Sequence, residues 1–127
     1  MCGGRRKGSL LEPTVLTSTK PAMKVNCQEI FAPVVTVEPY TDFNAALRQV
    51  NSSPYGLQAG IFTRDSKLLF QAYEELEVGA LIAGDVPSFR IDHMPYGGIK
   101  ESGLGREGLR YAIEEMTEPK LLVMNLR

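Results

Sequence analysis

Short apolar runs alternate with amphipathic stretches along the chain, and this alternation predicts strands and helices in turn. Glu12–Leu16 and Pro33–Val37 are rich in β-branched residues and bounded by Pro, Gly and Lys, which predicts two strands. Asp42–Asn51 repeats apolar residues at helical spacing, and Thr41 or Asp42 can cap it. Similar patterns predict three more strands and two more helices: Leu57–Thr63, Gly79–Ala83 and Leu121–Met124 as strands, Asp65–Leu76 and Arg106–Met116 as helices.

The middle of this order is strand, helix, strand, helix, strand, which is typical of parallel strands joined by helical crossovers. The run GALIAG from Gly79 to Gly84 is apolar on both faces, as expected for a parallel strand covered on both sides. We therefore predict an α/β fold with a mostly parallel sheet and covering helices. Five strands and three helices are enough for a small α/β sheet with covering helices, but such a sheet is thin. Part of the sheet is therefore expected to be missing.

Composition excludes several classes of protein. Of 127 residues, 43% are apolar and 23% charged, near the averages of soluble globular proteins, which argues against a disordered tail, a fibre or a disulfide-rich miniprotein. A net charge of −1 provides no positive field for nucleic acid or an anionic membrane. No apolar run approaches the ~18 residues of a membrane helix, and the MCGGRRKGS start lacks the apolar segment of a secretory signal. With only Cys2 and Cys27, a reducing, cytoplasmic compartment is expected.

Gly103, Gly105 and Gly108 match the G-x-G-x-x-G pattern of dinucleotide-binding proteins. That function needs a strand directly before the pattern and an acidic residue about twenty positions after it. Here a loop with Pro and Gly precedes the pattern, and the acidic position would lie beyond residue 127. Tight turns that lead into a helix are the favoured interpretation.

The remaining polar motifs are weak candidates for a site. GGRRKG places glycine amides beside three cations and could hold a phosphate, although an exposed basic turn explains it better. His93 lies beside Asp92 without further residues at metal-ligand spacing or a partner for a hydrolytic triad. Cys27 lacks a glycine turn or helix start that would activate its thiolate, and Cys2 lies at a terminus that is expected to fray. No catalytic or metal-binding residue is therefore predicted.

The segment QEIFAPVV is more informative. The Glu29 carboxylate could accept two hydroxyl hydrogen bonds, as a ribose diol offers, and Phe31 would lie on the same side of an extended segment. A carboxylate beside an aromatic ring suits a ribose that carries a flat ring. A surface glutamate and a core phenylalanine explain the same spacing equally well.

Five segments together carry a resemblance: GGRRKGSLLEPTVL, QEIFAPVVTVEPY, NSSPYGLQAGIFT, MPYGGIKESGLGREG and YAIEEMTEPKLLV. In order and spacing they resemble the C-terminal part of the NAD(P)-dependent aldehyde dehydrogenase superfamily, over essentially the whole chain. In that family, the Glu and Phe of the E-I-F-x-P motif contact the nicotinamide ribose and ring, which implies these roles for Glu29 and Phe31. The segment that ends in the P-[FY]-G-G motif lines the aldehyde entrance. This implies four substrate-contacting candidates: Ser88, Phe89, Arg90 and Tyr96.

The resemblance also implies a division of the chain and a limit to its activity. Residues 1–118 would be part of the catalytic domain, and residues 119–127 would supply a strand to the sheet of a homo-oligomer. The family's nucleophilic Cys, general-base Glu and Rossmann half would all lie upstream of this chain. The full-length enzyme is therefore expected to oxidise a small aldehyde with NAD or NADP, and this chain alone is expected to be inactive. The alternative is a non-catalytic interaction module that pairs with full-length relatives through an edge strand.

Small departures from the family pattern bear on the entrance loop and the substrate. Gln28 stands where a second Glu is common, Ala32 where Gly is usual, and Gly84 where Asn often precedes the Asp. The loop DVPSFRIDHMPYGG resembles the branch that handles small hydroxy-, phospho- or phosphono-aldehydes. Arg90 could bind a carboxylate or phosphate through two hydrogen bonds, or it could pair with Asp92 or face water.

Overall fold

The computed structural model describes residues 1–126, and these residues form two compact units. The first unit is Met1–Pro54, and the second begins at Tyr55. Each unit combines short helices with a parallel strand pair. The fold class is α/β with parallel strands, as the sequence predicts. The predicted boundary between residues 118 and 119 is a different division and stays a prediction.

The first unit is built around a parallel strand pair. Its elements in chain order are β1 Arg6–Lys7, β2 Leu10–Leu11, β3 Thr14–Thr17, α1 Lys24–Cys27, β4 Val34–Val37 and α2 Phe43–Asn51. β1 and β2 form an antiparallel pair, so the GGRRKG motif enters a short hairpin. β3 and β4 pair in parallel, with Thr14 opposite Val34. The two strands predicted in this half are therefore confirmed, with shifted ends.

Helix α2 begins where its capping residue predicts. The Asp42 carboxylate accepts hydrogen bonds from the backbone N–H groups of Asn44 and Ala45, at 3.0 and 3.2 Å. These contacts satisfy two of the amides that a helix start leaves without an intrahelical partner. On the apolar stripe, Leu47 is buried with 4% of its surface exposed.

The second unit contains a strand–helix–strand crossover. Its elements are β5 Tyr55–Gly56, β6 Gln58–Ile61, α3 Ser66–Glu75, β7 Ala80–Ala83, β8 Ile99–Lys100 and α4 Leu109–Met116. β6 and β7 pair in parallel, with Gln58 opposite Ala80, and α3 connects them. β5 and β8 form a short antiparallel pair. Of the two predicted crossovers, the one through α3 is confirmed, whereas the one through α2 is wrong, because β4 and β6 lie in different sheets.

Three sequence predictions are corrected by the structure. The strands form four two-stranded sheets rather than one sheet. Helix α4 begins at Leu109 rather than Arg106, because Glu107 is held in a β-bridge with Tyr96 and Gly108 adopts a φ of 111°. Within the described chain, residues 117–126 form no helix or strand, so Leu121–Met124 is not a strand of this chain's own sheets, and its predicted role in the sheet of a homo-oligomer stays a prediction. A strand needs a hydrogen-bonding neighbour, and no described segment pairs with this one.

Much apolar surface is exposed in both units. Among residues 1–126, Leu47 and Ala72 are the buried apolar residues. The accessible surface is 10574 Å², whereas a folded chain of 14.0 kDa exposes about 6,700 Å². Two separate domains of about 6 and 8 kDa would together expose about 8,100 Å². The excess surface includes an apolar stripe on α4, formed by Leu109, Ile113 and Met116.

Candidate functional site: the segment between β7 and β8

The segment that joins β7 to β8 holds all four substrate-contacting candidates. It leaves β7 at Gly84, whose φ of +78° lies in the left-handed region. The Gln58 side-chain amide donates a hydrogen bond to the Phe89 carbonyl oxygen at 3.1 Å, which ties the segment to β6. The backbone N–H of Ser88 donates to the Val86 carbonyl oxygen at 2.8 Å, so a turn precedes the candidates.

Arg90 lies at the centre of a three-residue contact. Its Nη2 is 2.8 Å from Glu107 Oε2, and its guanidinium carbon lies 4.9 Å from the centroid of the Tyr96 ring. The side chain of Arg90 is about half exposed, at 47%. Of the three alternatives that the sequence left open for Arg90, pairing with Asp92 is wrong, because the carboxylate partner is Glu107. We call Arg90, Tyr96 and Glu107 the arginine triad.

The backbone fixes two members of the triad against each other. The Tyr96 N–H donates to the Glu107 carbonyl oxygen at 3.1 Å, and the Glu107 N–H donates to the Tyr96 carbonyl oxygen at 2.6 Å. Sequence reasoning missed Glu107 because it lies far from Arg90 along the chain. The available signal was an acidic residue inside the glycine-rich GLGREG segment.

The glycine-rich segment acts as a scaffold for the P-Y-G-G motif. Arg106 Nη1 donates to the Gly98 carbonyl oxygen at 3.1 Å, and the Arg106 N–H donates to Glu115 Oε1 at 2.9 Å. A Cβ added at Gly79, just before β7, would lie 1.8 Å from the Gly97 carbonyl oxygen. Only glycine permits so close a backbone approach. These contacts hold the end of the loop against the start of β7 and the segment before α4.

The three glycines of the dinucleotide-like pattern lie in turns. Gly103, Gly105 and Gly108 have φ values of 138°, 71° and 111°. The preceding strand, β8, is two residues long and pairs antiparallel with β5. This is not the parallel strand–turn–helix context that the pattern requires. The positive φ values fit glycines that redirect the chain before α4, and the dinucleotide-binding interpretation is not supported.

A groove of about 680 Å³ lies beside the arginine triad within the second unit. Its walls include the triad, the glycine-rich turns and one face of α4. Ser88 and Phe89 are exposed on the neighbouring part of the loop and are not among the groove-lining residues. The structure therefore brings Arg90 and Tyr96 together and leaves Ser88 and Phe89 beside them on the same segment.

The two cofactor candidates lie in the first unit, on the connection between α1 and β4. Glu29 and Phe31 are both exposed, and 92% of the Phe31 surface is accessible. A phenylalanine so exposed does not gain the favourable free energy of burying its ring. The ring is available to pack against another molecule or segment. The interpretation of Phe31 as a core residue of this chain is therefore wrong.

Charged groups outside the triad pair mainly along the surface. On α4, Arg110 Nε donates a hydrogen bond to the Glu114 carboxylate at 2.9 Å, and this bond, followed by the carboxylate's charge, raises the pKa of Arg110. Residues 1–126 contain no group of three or more His, Cys, Asp or Glu side chains placed to hold a metal ion. Cys2 and Cys27 are free and exposed. No helix in the described part of the chain is long and apolar enough to cross a membrane.

Comparison with known proteins places these features in a family. Residues 1–122 match the aldehyde dehydrogenase family. The chain is 50% identical over 124 residues to the 3-sulfolactaldehyde dehydrogenase of Priestia aryabhattai, a match that covers 98% of this chain and 26% of that protein.

Two solved structures are also similar. Aldehyde dehydrogenase 21 from Physcomitrella patens, in complex with the reaction product succinate, matches with a TM-score of 0.94 and 47% identity, over 98% of this chain and 26% of that chain. The NADP-dependent glyceraldehyde-3-phosphate dehydrogenase from Bacillus halodurans, complexed with NADP, matches with a TM-score of 0.94 and 38% identity. This match covers 100% of this chain and 27% of that chain. The chain spans about a quarter of the length of these relatives. By sequence and by fold, the chain belongs to the aldehyde dehydrogenase family.

Proposed function

We propose that this chain is the C-terminal part of an NAD(P)-dependent aldehyde dehydrogenase that oxidises small anionic aldehydes to carboxylic acids. The observation that carries the proposal is the arginine triad, which holds a half-exposed guanidinium on the loop that the family resemblance assigns to the aldehyde entrance. In this proposal the loop contributes Ser88, Phe89, Arg90 and Tyr96 to substrate binding.

The cofactor contacts of this chain are Glu29 and Phe31. The exposed Glu29 carboxylate can accept two hydrogen bonds from a ribose diol, and the exposed Phe31 ring can pack against the nicotinamide. A relative with the same fold has been solved with NADP. When bound, NAD or NADP supplies the hydride acceptor, and Glu29 and Phe31 hold the ribose and ring in position.

The chain by itself is inactive in this proposal. Oxidation through a covalent intermediate needs an activated thiolate and a hydride acceptor held beside it. Cys2 and Cys27 are exposed and match no nucleophile motif of the family. The relatives carry about three quarters of their length outside the matched region, which supports placing the remaining machinery there.

A fusion enzyme provides the test. The chain replaces the matched 124 residues of the Priestia aryabhattai protein, and aldehyde oxidation is followed by formation of NADH or NADPH. We expect turnover by the fusion and none by the 127-residue chain alone. Saturable oxidation by the isolated chain would contradict its inactivity, and a folded but inactive fusion would contradict the proposed function.

The cofactor role is tested by Glu29→Gln in the fusion. Hydrogen bonds to a charged acceptor contribute about 1.5–3 kcal/mol, so the nucleotide KM is expected to rise at least about tenfold. Glu74→Gln, at an exposed glutamate of α3, is the matched control and should leave this KM within about twofold. An unchanged nucleotide KM in Glu29→Gln would remove Glu29 from the cofactor site.

Substrate class is tested by Arg90→Ala in the same fusion. One relative acts on 3-sulfolactaldehyde and another was solved with succinate, and both molecules carry an acidic group beyond the reacting carbon. Loss of the guanidinium is expected to lower kcat/KM for an anionic aldehyde about tenfold to hundredfold. A neutral aldehyde of similar size should be affected much less. Equal losses for the two aldehydes would contradict anion recognition.

A further inference from the structure

The Arg90 guanidinium is held from two directions by groups that are themselves fixed to each other. The Glu107 carboxylate contacts Nη2 at 2.8 Å, and the Tyr96 ring lies 4.9 Å from the guanidinium carbon. Two reciprocal backbone hydrogen bonds join Tyr96 and Glu107. The ring and the carboxylate therefore form one frame, and this frame sets the orientation of the guanidinium.

Stability alone does not account for this arrangement. The Arg90 and Glu107 side chains are 47% and 63% exposed, and ion pairs at that exposure add little to folding. An arginine side chain has high rotamer freedom, and ordering it before a ligand arrives removes that ordering cost from binding. The ion pair with Glu107 engages Nη2 of the Arg90 guanidinium. The planar guanidinium carries five N–H donors in all.

We propose that Glu107 is a positioning residue, which holds the Arg90 guanidinium over Tyr96 in the orientation that receives the acidic group of an anionic aldehyde. The proposal rests on the proposed function, in which Arg90 recognises that group. Glu107 acts through Arg90 rather than on the substrate. Its effect should therefore appear as selectivity between anionic and neutral aldehydes.

The test compares Glu107→Gln with unsubstituted fusion enzyme on an anionic and a neutral aldehyde of similar size. We expect the anionic-to-neutral ratio of kcat/KM to fall about threefold to tenfold, because an unpaired Arg90 must be ordered on binding. In an Arg90→Ala background, Glu107→Gln should change this ratio by less than about twofold. Glu107→Asp, which keeps the charge, should recover part of the ratio.

The matched control is Glu114→Gln on α4. Glu114 forms a comparable exposed pair with Arg110 at 2.9 Å, but the pair lies outside the triad, so the ratio should not change. Tyr96→Leu removes the ring and leaves the carboxylate, and a fall in the same ratio is expected. This variant keeps the proposal testable if Glu107→Gln does not fold.

Four outcomes would overturn the proposal. An unchanged ratio in Glu107→Gln would mean that the pair has no positioning role, and equal losses for both aldehydes would mean that Glu107 is structural. A higher ratio would make Glu107 a competitor for Arg90. If Arg90→Ala keeps the anion preference, anion recognition fails and this proposal fails with it. If Arg90→Ala abolishes the preference and Glu107→Gln preserves it, only the positioning role fails.

Discussion

At position 84, backbone conformation decides which residues fit. Gly84 has a φ of +78°, and a Cβ added there would meet nothing within 4 Å. The residue must therefore tolerate the left-handed region, whereas its side-chain volume is unrestricted. Asn and Gly are the residues that visit this region most readily. Gly84 is thus conformationally equivalent to the Asn that is usual at this position in the family. The segment between β7 and β8 can leave β7 with either residue.

We therefore expect Gly84→Asn in the fusion enzyme to keep the melting temperature nearly unchanged. Gly84→Val should destabilise by about 1–2 kcal/mol, because a β-branched residue is strained at positive φ. Thermal unfolding at fixed protein concentration measures both variants. Equal effects of Asn and Val would show that conformational strain is not the deciding factor.

At Arg90, by contrast, the identity of the ion-pair partner depends on residues that are distant in sequence. Asp92 lies two positions away and Glu107 fifteen positions further, yet Glu107 forms the ion pair. The bridge between Tyr96 and Glu107 places the more distant carboxylate beside the guanidinium. The family resemblance identified the arginine as a candidate, but only the folded loop identified its partner.

At the scale of elements, α2 shows how far a local signal can be trusted. Its capping residue and apolar stripe are contained within one short segment, and both are confirmed by the hydrogen bonds of Asp42 and the burial of Leu47. The parallel pair β6–β7 was likewise predictable, because strand and crossover signals are also local, whereas the pairing of β4 with β3 was not predicted. The start of α4 was not, because the bridge at Glu107 is a tertiary contact.

The cap predicts a measurable effect on α2. In the fusion enzyme, Asp42→Ala should cost about 1 kcal/mol, which corresponds to hydrogen exchange of the α2 amides about fivefold faster. Asp42→Asn keeps the capping oxygen and removes the charge that faces Arg48 at 3.6 Å, so exchange should change little. If Asn accelerates exchange as much as Ala, the ion pair rather than the cap stabilises the helix start.

At the scale of the whole molecule, the exposed apolar surface is the dominant feature. A surface of 10574 Å² exceeds the folded expectation by about 3,900 Å². Many large apolar side chains are exposed as well, and extensive exposed apolar surface is typical of sites that bind other protein. The exposed stripe of α4 and the apolar residues of 121–126 belong to it. This surface is compatible both with part of a larger enzyme and with a module that pairs with full-length relatives.

We expect the isolated chain to bind a hydrophobic dye strongly and to aggregate. If the proposed function is right, co-expression with the Priestia aryabhattai protein truncated before the matched region should reduce dye binding, because that part of the enzyme would pack on the apolar surface. Co-expression with the full-length relative is the control. A stable isolated chain that co-purifies with the full-length relative, and not with the truncated one, would favour the interaction module.

The sequence by itself determined what depends on neighbouring residues: the strand and helix pattern, the Asp42 cap, the glycine turns and the family resemblance. These signals reside in short segments, so local propensity and spacing are sufficient to read them. Only the tertiary structure decided that Glu107 pairs with Arg90, that α4 begins at Leu109, and that many large apolar side chains are exposed. Each of these depends on which segments far apart in the chain contact one another and which do not, and the local pattern does not encode this.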